Sequence, residues 1–292
     1  MTCRVVAELS ANHNGDLARA ISIVDAAARA GAWGVKFQTF TPEQMVSPDL
    51  IIETGPWAGR RALDLYREAH TPREWHKRLF ERARELGMTP FSSVFHPDDV
   101  AFLETLDCPI YKVSSFELTD HKLLAAAGDT GKPVVISTGM ATWEEIKYAA
   151  AMIGAEDLTI LKCTSAYPAD ASDANLLAMA YLDHMPGCTA FGLSDHTPGI
   201  GVAVAAVALG ASMIEKHLTL RRSDGGPDAA FSMEPEEFAQ LVTECRRAAA
   251  AIGEVKYGPA RAERASLALR RPPGGKRGDR TAPRLGALLQ AK

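Results

Sequence analysis

Cysteine occupies only five of the 292 positions, an odd number without CxxC spacing. Such scatter excludes a disulfide framework and a zinc ribbon, and it fits a reducing compartment. Long apolar runs are also missing. The longest, Gly201 to Ile214, is too short to span a bilayer, and the start, MTCRVVAELS, has no charged segment followed by an apolar one. A soluble cytoplasmic protein is expected, with no membrane partner. The formal net charge is -4, so no basic field favours nucleic acid, and no aromatic or glycine-rich RNA-binding pattern is present. No glycine-rich dinucleotide fingerprint follows the first apolar run. What remains is 47% hydrophobic and 23% charged, enough for one large α/β core.

The stretch from Gly192 to Ser232 organises the chain. His196 follows the apolar run Thr189 to Leu193, and His217 follows Ser212 to Ile214, with an Ala/Val-rich helical segment between. In a strand–helix–strand unit the two strands are parallel neighbours, so residues past both ends share one rim. Either histidine alone reads as an ordinary loop residue. Two at matched strand ends, with Asp195, Glu215 and Asp228 nearby, point to a divalent cation with positions left open for water and substrate.

The same unit recurs along the chain. Strands are expected at Val5 to Leu9, Trp33 to Thr39, Met88 to Ser92, Ile110 to Val113, Pro133 to Ile136 and Leu158 to Leu161, before the two already named. Helical spacing covers Asp16 to Ala30, Pro72 to Leu86, Pro97 to Leu106, Asp120 to Ala127, Thr142 to Ile153, Ser172 to Leu182 and Glu234 to Ile252. Pro42 to His70 reads as a long active-site loop. Eight alternating units with near-continuous apolar strands predict a (β/α)8 TIM barrel, with its site at the C-terminal rim. A doubly wound sheet is the runner-up.

A barrel would turn the strand-end residues toward one cavity. These include Glu8, Lys36 and Gln38, Ser92 and Ser93, Lys112, Ser114 and Ser115, Ser137, Thr138, Lys162, Ser165, Tyr167 and Ser194. Singly, each serine reads as a helix cap, each lysine as a solvated side chain, and Glu8 as the partner of a rim lysine. Together they form a cationic, hydroxyl-rich rim suited to phosphate or carboxylate.

AELSANHNGD, VKFQTFTPEQM, YKVSSFEL, VVISTGMAT, LKCTSAYP, GLSDHTPGIG, IEKHLTL and GGPDAAFSMEP occur in this order. From about Val5 to about Leu269 the chain resembles the sialic acid synthase family of nonulosonic acid synthases. ANHNG and GGPDAAFS, with Ala229 and Ala230, are most similar to its pseudaminic acid branch. The resemblance implies condensation of phosphoenolpyruvate with the open-chain aldehyde of an acylated amino sugar, here 2,4-diacetamido-2,4,6-trideoxy-L-altrose, releasing phosphate. Legionaminic or N-acetylneuraminic acid are the alternative products. It further implies a homodimer and Mn2+ or Mg2+ on His196 and His217. Lys36, Ser93, Lys112, Ser115, Ser137, Ser165 and Ser194 would hold phosphoenolpyruvate, and Gln38, Tyr167 and Asp228 would face the sugar. Glu8, Lys112, His196, His217 and Asp228 are the expected catalytic groups, with Glu8 acting on a water.

The family's small antifreeze-like domain is not expected here. After a synthase domain over 1–269, residues 270–292 carry seven Lys/Arg and one acidic residue, leaving 25 Lys/Arg and 35 Asp/Glu in the body. A charge of -10 there, against -4 overall, marks a compositionally foreign tail, as after a frameshift or early truncation. It is expected to be a disordered basic tail. A Schiff-base aldolase using Lys36 or Lys112, and a weakly active phosphoenolpyruvate-binding barrel, are the competing readings.

Overall fold

The computed structural model describes residues 3–273 and 275–277. Eight parallel strands pair in sequence order and close on themselves: β1 Arg4–Glu8, β2 Gly34–Thr39, β3 Thr89–Val94, β4 Tyr111–Val113, β5 Val134–Ser137, β6 Leu158–Cys163, β7 Ala190–Ser194 and β8 Met213–His217. The ladder is completed by β8 against β1, with Glu8 opposite His217. The predicted TIM barrel is the observed one.

Several strands run further toward the rim than their apolar runs indicated. β5 includes Ser137, β6 includes Lys162 and Cys163, β7 includes Ser194, and β8 includes Glu215 to His217. Of these, Ser137, Cys163, Ser194, Glu215 and His217 point into the barrel mouth, while Lys162 and Lys216 alternate outward, so polar residues interrupt hydrophobicity without interrupting the ladder.

The connecting helices are α1 Leu17–Arg29, α2 Pro42–Met45, α3 Ala62–Ala69, α4 Arg73–Glu85, α5 Pro97–Glu104, α6 His121–Gly128, α7 Trp143–Ile153, α8 Leu176–Tyr181, α9 Gly201–Ala208 and α10 Pro235–Ile252. Their starts carry their own caps. Asp16 and Asp120 accept backbone N–H bonds ahead of α1 and α6, and Thr142 with Glu145 forms a capping box on α7. The long segment after β2 is not all loop, since it folds α2, α3 and a bridge between Ile51 and Arg61. The helix expected over Ser172 to Leu182 is shorter, beginning after an Asn175 cap.

Because side chains alternate along a strand, each strand feeds both the barrel interior and the helical layer. Val35, Phe37, Val134, Ile136 and Ile160 face outward and are buried under helices, with Phe37 stacked on Phe80 of α4 at 5.5 Å. Inside, the N-terminal half holds Val6, Phe91, Val135, Leu161 and Met213, all buried. Gly34 and Gly192 belong to this half and leave no room for a side chain. A Cβ on Gly192 would lie 2.1 Å from the Met213 carbonyl oxygen, and one on Gly34 2.7 Å from that of Thr89.

Residues through Ile252 form one compact unit, and Gly253 begins a second. The described part of the second contains two 3-10 turns, Arg261–Glu263 and Ala265–Leu269. Most of the expected basic tail, residue 274 and residues 278–292, lies outside the described residues. None of the described helices is long and apolar enough to cross a membrane.

Candidate active site

At the C-terminal half of the interior the strands turn polar together. Lys36 Nζ lies 2.5 Å from Glu8 Oε2 and 3.7 Å from Glu215 Oε1, and it donates to Ser93 Oγ at 2.8 Å. Two strands on, Lys112 Nζ donates to Ser137 Oγ at 2.7 Å and to the Val113 carbonyl at 3.1 Å. Each ammonium thus takes its hydroxyl partner from the following strand. Gln38 donates to Glu8 at 3.2 Å and to Ser10 at 3.0 Å, and Ser194 donates to Glu215 at 3.1 Å. Ser10 also donates to Asp228.

Burial and mutual charge set the protonation of this cluster. Burial raises Glu8 to about 7, with Lys36 opposing the rise and Glu215 adding to it. Burial would also raise Glu215, but Lys36 and Lys112 outweigh it and hold this carboxylate below its usual range. For Lys36, burial is overcome by Glu215 and Glu8, so the ammonium is favoured. Lys112 is lowered, first by burial and then by the charge of Lys36. Asp228 is raised by burial, against the Ser10 hydrogen bond. Two similar carboxylates are therefore driven apart, Glu215 ionised and Glu8 able to exchange a proton near neutrality.

His196 and His217 converge as their strands require, with ring centroids 5.4 Å apart. The His196 Nδ1 lies 3.0 Å from the Thr164 carbonyl oxygen. A carbonyl only accepts, so Nδ1 carries the hydrogen. Burial of His196 is overcome by the Cys163 hydrogen bond and charge, which raise it above its ordinary value, so Nε2 is the nitrogen that would meet a cation, in place of a proton. His217 Nδ1 is buried without a hydrogen-bond partner, as is Glu215 Oε2. Burial, and then the charge of His196, push His217 well below its ordinary value, leaving it a neutral donor. Two converging imidazoles beside unpartnered buried groups fit a divalent cation, which would displace the proton favoured on His196. Among the described residues no cluster of three His, Cys, Asp or Glu has a metal-binding arrangement, so water and substrate would complete the shell.

These groups open into a cavity of about 350 Å³. Lys36, Gln38, Ser93, Lys112, Ser115, Ser137, Tyr167, Ser194, His196, His217 and Asp228 all line it. Glu8 lies beneath, buried against Lys36 and Gln38. Ser165 is not part of the lining. It stands beside Gly139, where an added Cβ would meet its Oγ at 2.1 Å and that of Ser115 at 2.8 Å. Asp195, expected near the cation, faces the other way and pairs with Lys216 at 2.6 Å, because it alternates with the inward Ser194. Ser92 likewise turns outward, to Thr39 at 2.7 Å.

Other groups carried no distinct sequence signal. The segment between β2 and α4 supplies an apolar wall of Met45, Val46, Leu50, Ile52 and Leu65. Its Trp57 donates from Nε1 to the Pro227 carbonyl at 2.8 Å, and the indole approaches Tyr167 at 5.6 Å and Phe231 at 6.1 Å. Cys163 also lines the cavity, 3.9 Å from His196 Nδ1. Burial would raise this thiol, but the His196 hydrogen bond and charge prevail and bring it to about 7.

Relatives carry this architecture. A pseudaminic acid synthase of Helicobacter pylori is 44% identical over 86% of this chain and 76% of its own length. An N,N'-diacetyllegionaminic acid synthase of Legionella pneumophila is 35% identical over 93% and 81%. The crystal structure of an N-acetylneuraminic acid synthetase from Leptospira borgpetersenii superposes with a TM-score of 0.82 at 32% identity, covering 91% of this chain and 90% of that one. A truncated 3-deoxy-D-arabino-heptulosonate 7-phosphate synthase from Thermotoga maritima shares the fold, with a TM-score of 0.66 at 18% identity over 86% of this chain and 88% of that one. A sequence model of the NeuB family matches residues 23–257, most of the barrel with both histidines and both interior lysines; the chain belongs to the NeuB family.

Proposed function

We propose that this chain condenses phosphoenolpyruvate with the open-chain aldehyde of 2,4-diacetamido-2,4,6-trideoxy-L-altrose, giving pseudaminic acid and phosphate. The observation that carries this reading is the rim itself. Two buried ammonium–hydroxyl pairs, Lys36 with Ser93 and Lys112 with Ser137, stand beside Glu8 in a chain 44% identical to a pseudaminic acid synthase.

The lysines and the hydroxyls of Ser115 and Ser194 supply donors for the phosphate and carboxylate of phosphoenolpyruvate. Ser165, behind Ser115, belongs to the same group. A divalent cation, Mn2+ or Mg2+, held by His196 and His217 would polarise the aldehyde oxygen. As C3 of phosphoenolpyruvate bonds to the aldehyde carbon, positive charge develops at C2. Glu8 takes a proton from the water that adds there, a role its pKa of about 7 suits. The C2–oxygen bond to phosphate then breaks as the added hydroxyl passes its proton to the departing phosphate, whose charge Lys112 stabilises. The proton on Glu8 passes to the alkoxide left by the aldehyde. Gln38, Tyr167 and Asp228 hold the sugar, and the apolar wall with Trp57 and Phe231 excludes other water.

A Schiff base on Lys36 is disfavoured, because Glu215 and Glu8 keep it protonated. The test is phosphate release by the purified chain with Mn2+ and phosphoenolpyruvate, with and without the sugar, beside His217→Ala. Sugar-dependent release lost on chelation and in the variant is expected. Sugar-independent release, or an unaffected variant, overturns the proposal.

A further inference from the structure

We propose that the buried Asp195–Lys216 ion pair, on the outer face of the barrel, is a positioning device that sets the spacing of His196 and His217. The proposal rests on those histidines being the ligands of a divalent cation.

The two imidazoles are not held alike. His217 ends β8 and is locked in the ladder opposite Glu8. His196 lies beyond the ladders, since the last pairs of β7 are Ser194 with Cys163 and Ser194 with Glu215. One further bond, from Asp195 N to the Glu215 carbonyl at 2.9 Å, ends the pairing with β8, and beyond it the His196 carbonyl accepts from Ala169 N at 3.0 Å. The chain then turns away, carrying His196 with it.

The residues on both sides of His196 are gripped by one side chain, that of the residue preceding His217. Lys216 Nζ donates to Asp195 Oδ2 and to the Thr197 carbonyl, both at 2.6 Å. Asp195 Oδ1 in turn accepts from Thr197 N at 2.9 Å and from Thr197 Oγ1 at 2.8 Å. Asp195, Thr197 and Lys216 are 3%, 3% and 2% exposed. Two bonds therefore tie the 195–197 turn to the end of β8, one residue before the second imidazole, and two more close the turn on itself.

Stability alone does not account for charges here. Desolvation offsets most of the attraction within a buried ion pair, and apolar pairs of similar volume commonly match or exceed its stability. A directional grip is what an apolar pair lacks. Outer groups that orient metal-binding side chains typically contribute about 10–100-fold in metal affinity.

The test measures Mn2+ dissociation from the full chain by electron paramagnetic resonance of the free ion, with the thermal midpoint recorded for each protein. Asp195→Leu/Lys216→Met is expected to keep a thermal midpoint at or above that of the parent yet bind Mn2+ at least about tenfold more weakly. Lys216→Arg, which retains the charge and the donors, is expected to stay within about threefold. A folded double variant with parental Mn2+ affinity overturns the proposal. Should the double variant not fold, Asp195→Asn decides, because it keeps the acceptor for Thr197 and breaks the charged link; unchanged Mn2+ affinity there is equally fatal. His217→Ala isolates the premise: if it binds Mn2+ as the parent does, the ligand assignment fails before the positioning does.

Discussion

On β3, Phe91 and Ser93 point into the barrel two residues apart. Phe91 belongs to a dry N-terminal half, with Val6, Val135, Leu161 and Met213, whereas Ser93 accepts from a buried ammonium. The same strands build both halves, so the difference lies in what each half is asked to hold. The lower half is filled to the point that Gly192 and Gly34 must lack side chains. The upper half leaves a cavity and buries lysines at a cost, as the lowered Lys112 shows. Stability is concentrated in one half and chemistry in the other.

That separation can be broken by substitution. Lys112→Met should reduce the rate of phosphate release by about 10³-fold, while the thermal midpoint holds or rises because a buried charge is removed. A midpoint falling with the rate would show that the halves are not separable. Phe91→Ala should do the reverse, costing about 3–5 kcal/mol in urea denaturation with little change in turnover of the protein that remains folded.

Two further tests use protonation. His76, in the helical layer, donates from Nδ1 to the Pro72 carbonyl at 3.1 Å and accepts from Thr39 at 2.8 Å. Burial lowers it to about 4. The unfolded chain then binds the extra proton first, so its contribution is complete above about 6.5 and lost as pH falls toward 4, with a limit of about 3 kcal/mol. The stability gap between parent and His76→Gln should narrow over that interval. Smaller still is the catalytic limb. With Glu8 at about 7, phosphate release should fall about tenfold per unit below pH 7. In Glu8→Gln that limb should vanish from an already slow profile.

Much of the barrel was readable because strands buried on both faces are apolar almost without interruption. The rim was readable from residue types that have no place inside a barrel unless they meet a ligand or each other, namely Lys36, Lys112 and His217. Alternation decided what sequence adjacency left open. Asp195 and Glu215 looked equivalent beside the histidines, yet only Glu215 faces inward, and the strand that Ser212 to Ile214 announced continues to His217. Trp57 and the wall residues between α2 and α3 were not readable, since Val46, Leu50, Ile52 and Trp57 follow no period and the packing partners of Trp57 come from the far side of the mouth.

The hydrogen bond from Trp57 to Pro227 has a kinetic meaning. It joins the loop after β2 to the loop after β8, and both residues line the cavity that, under the proposed function, the product leaves. Turnover and departure then share a gate, and the indole that forms the latch is also a built-in fluorophore. Loss of the latch in Trp57→Phe, which keeps an aromatic ring in the wall, would show as faster product escape.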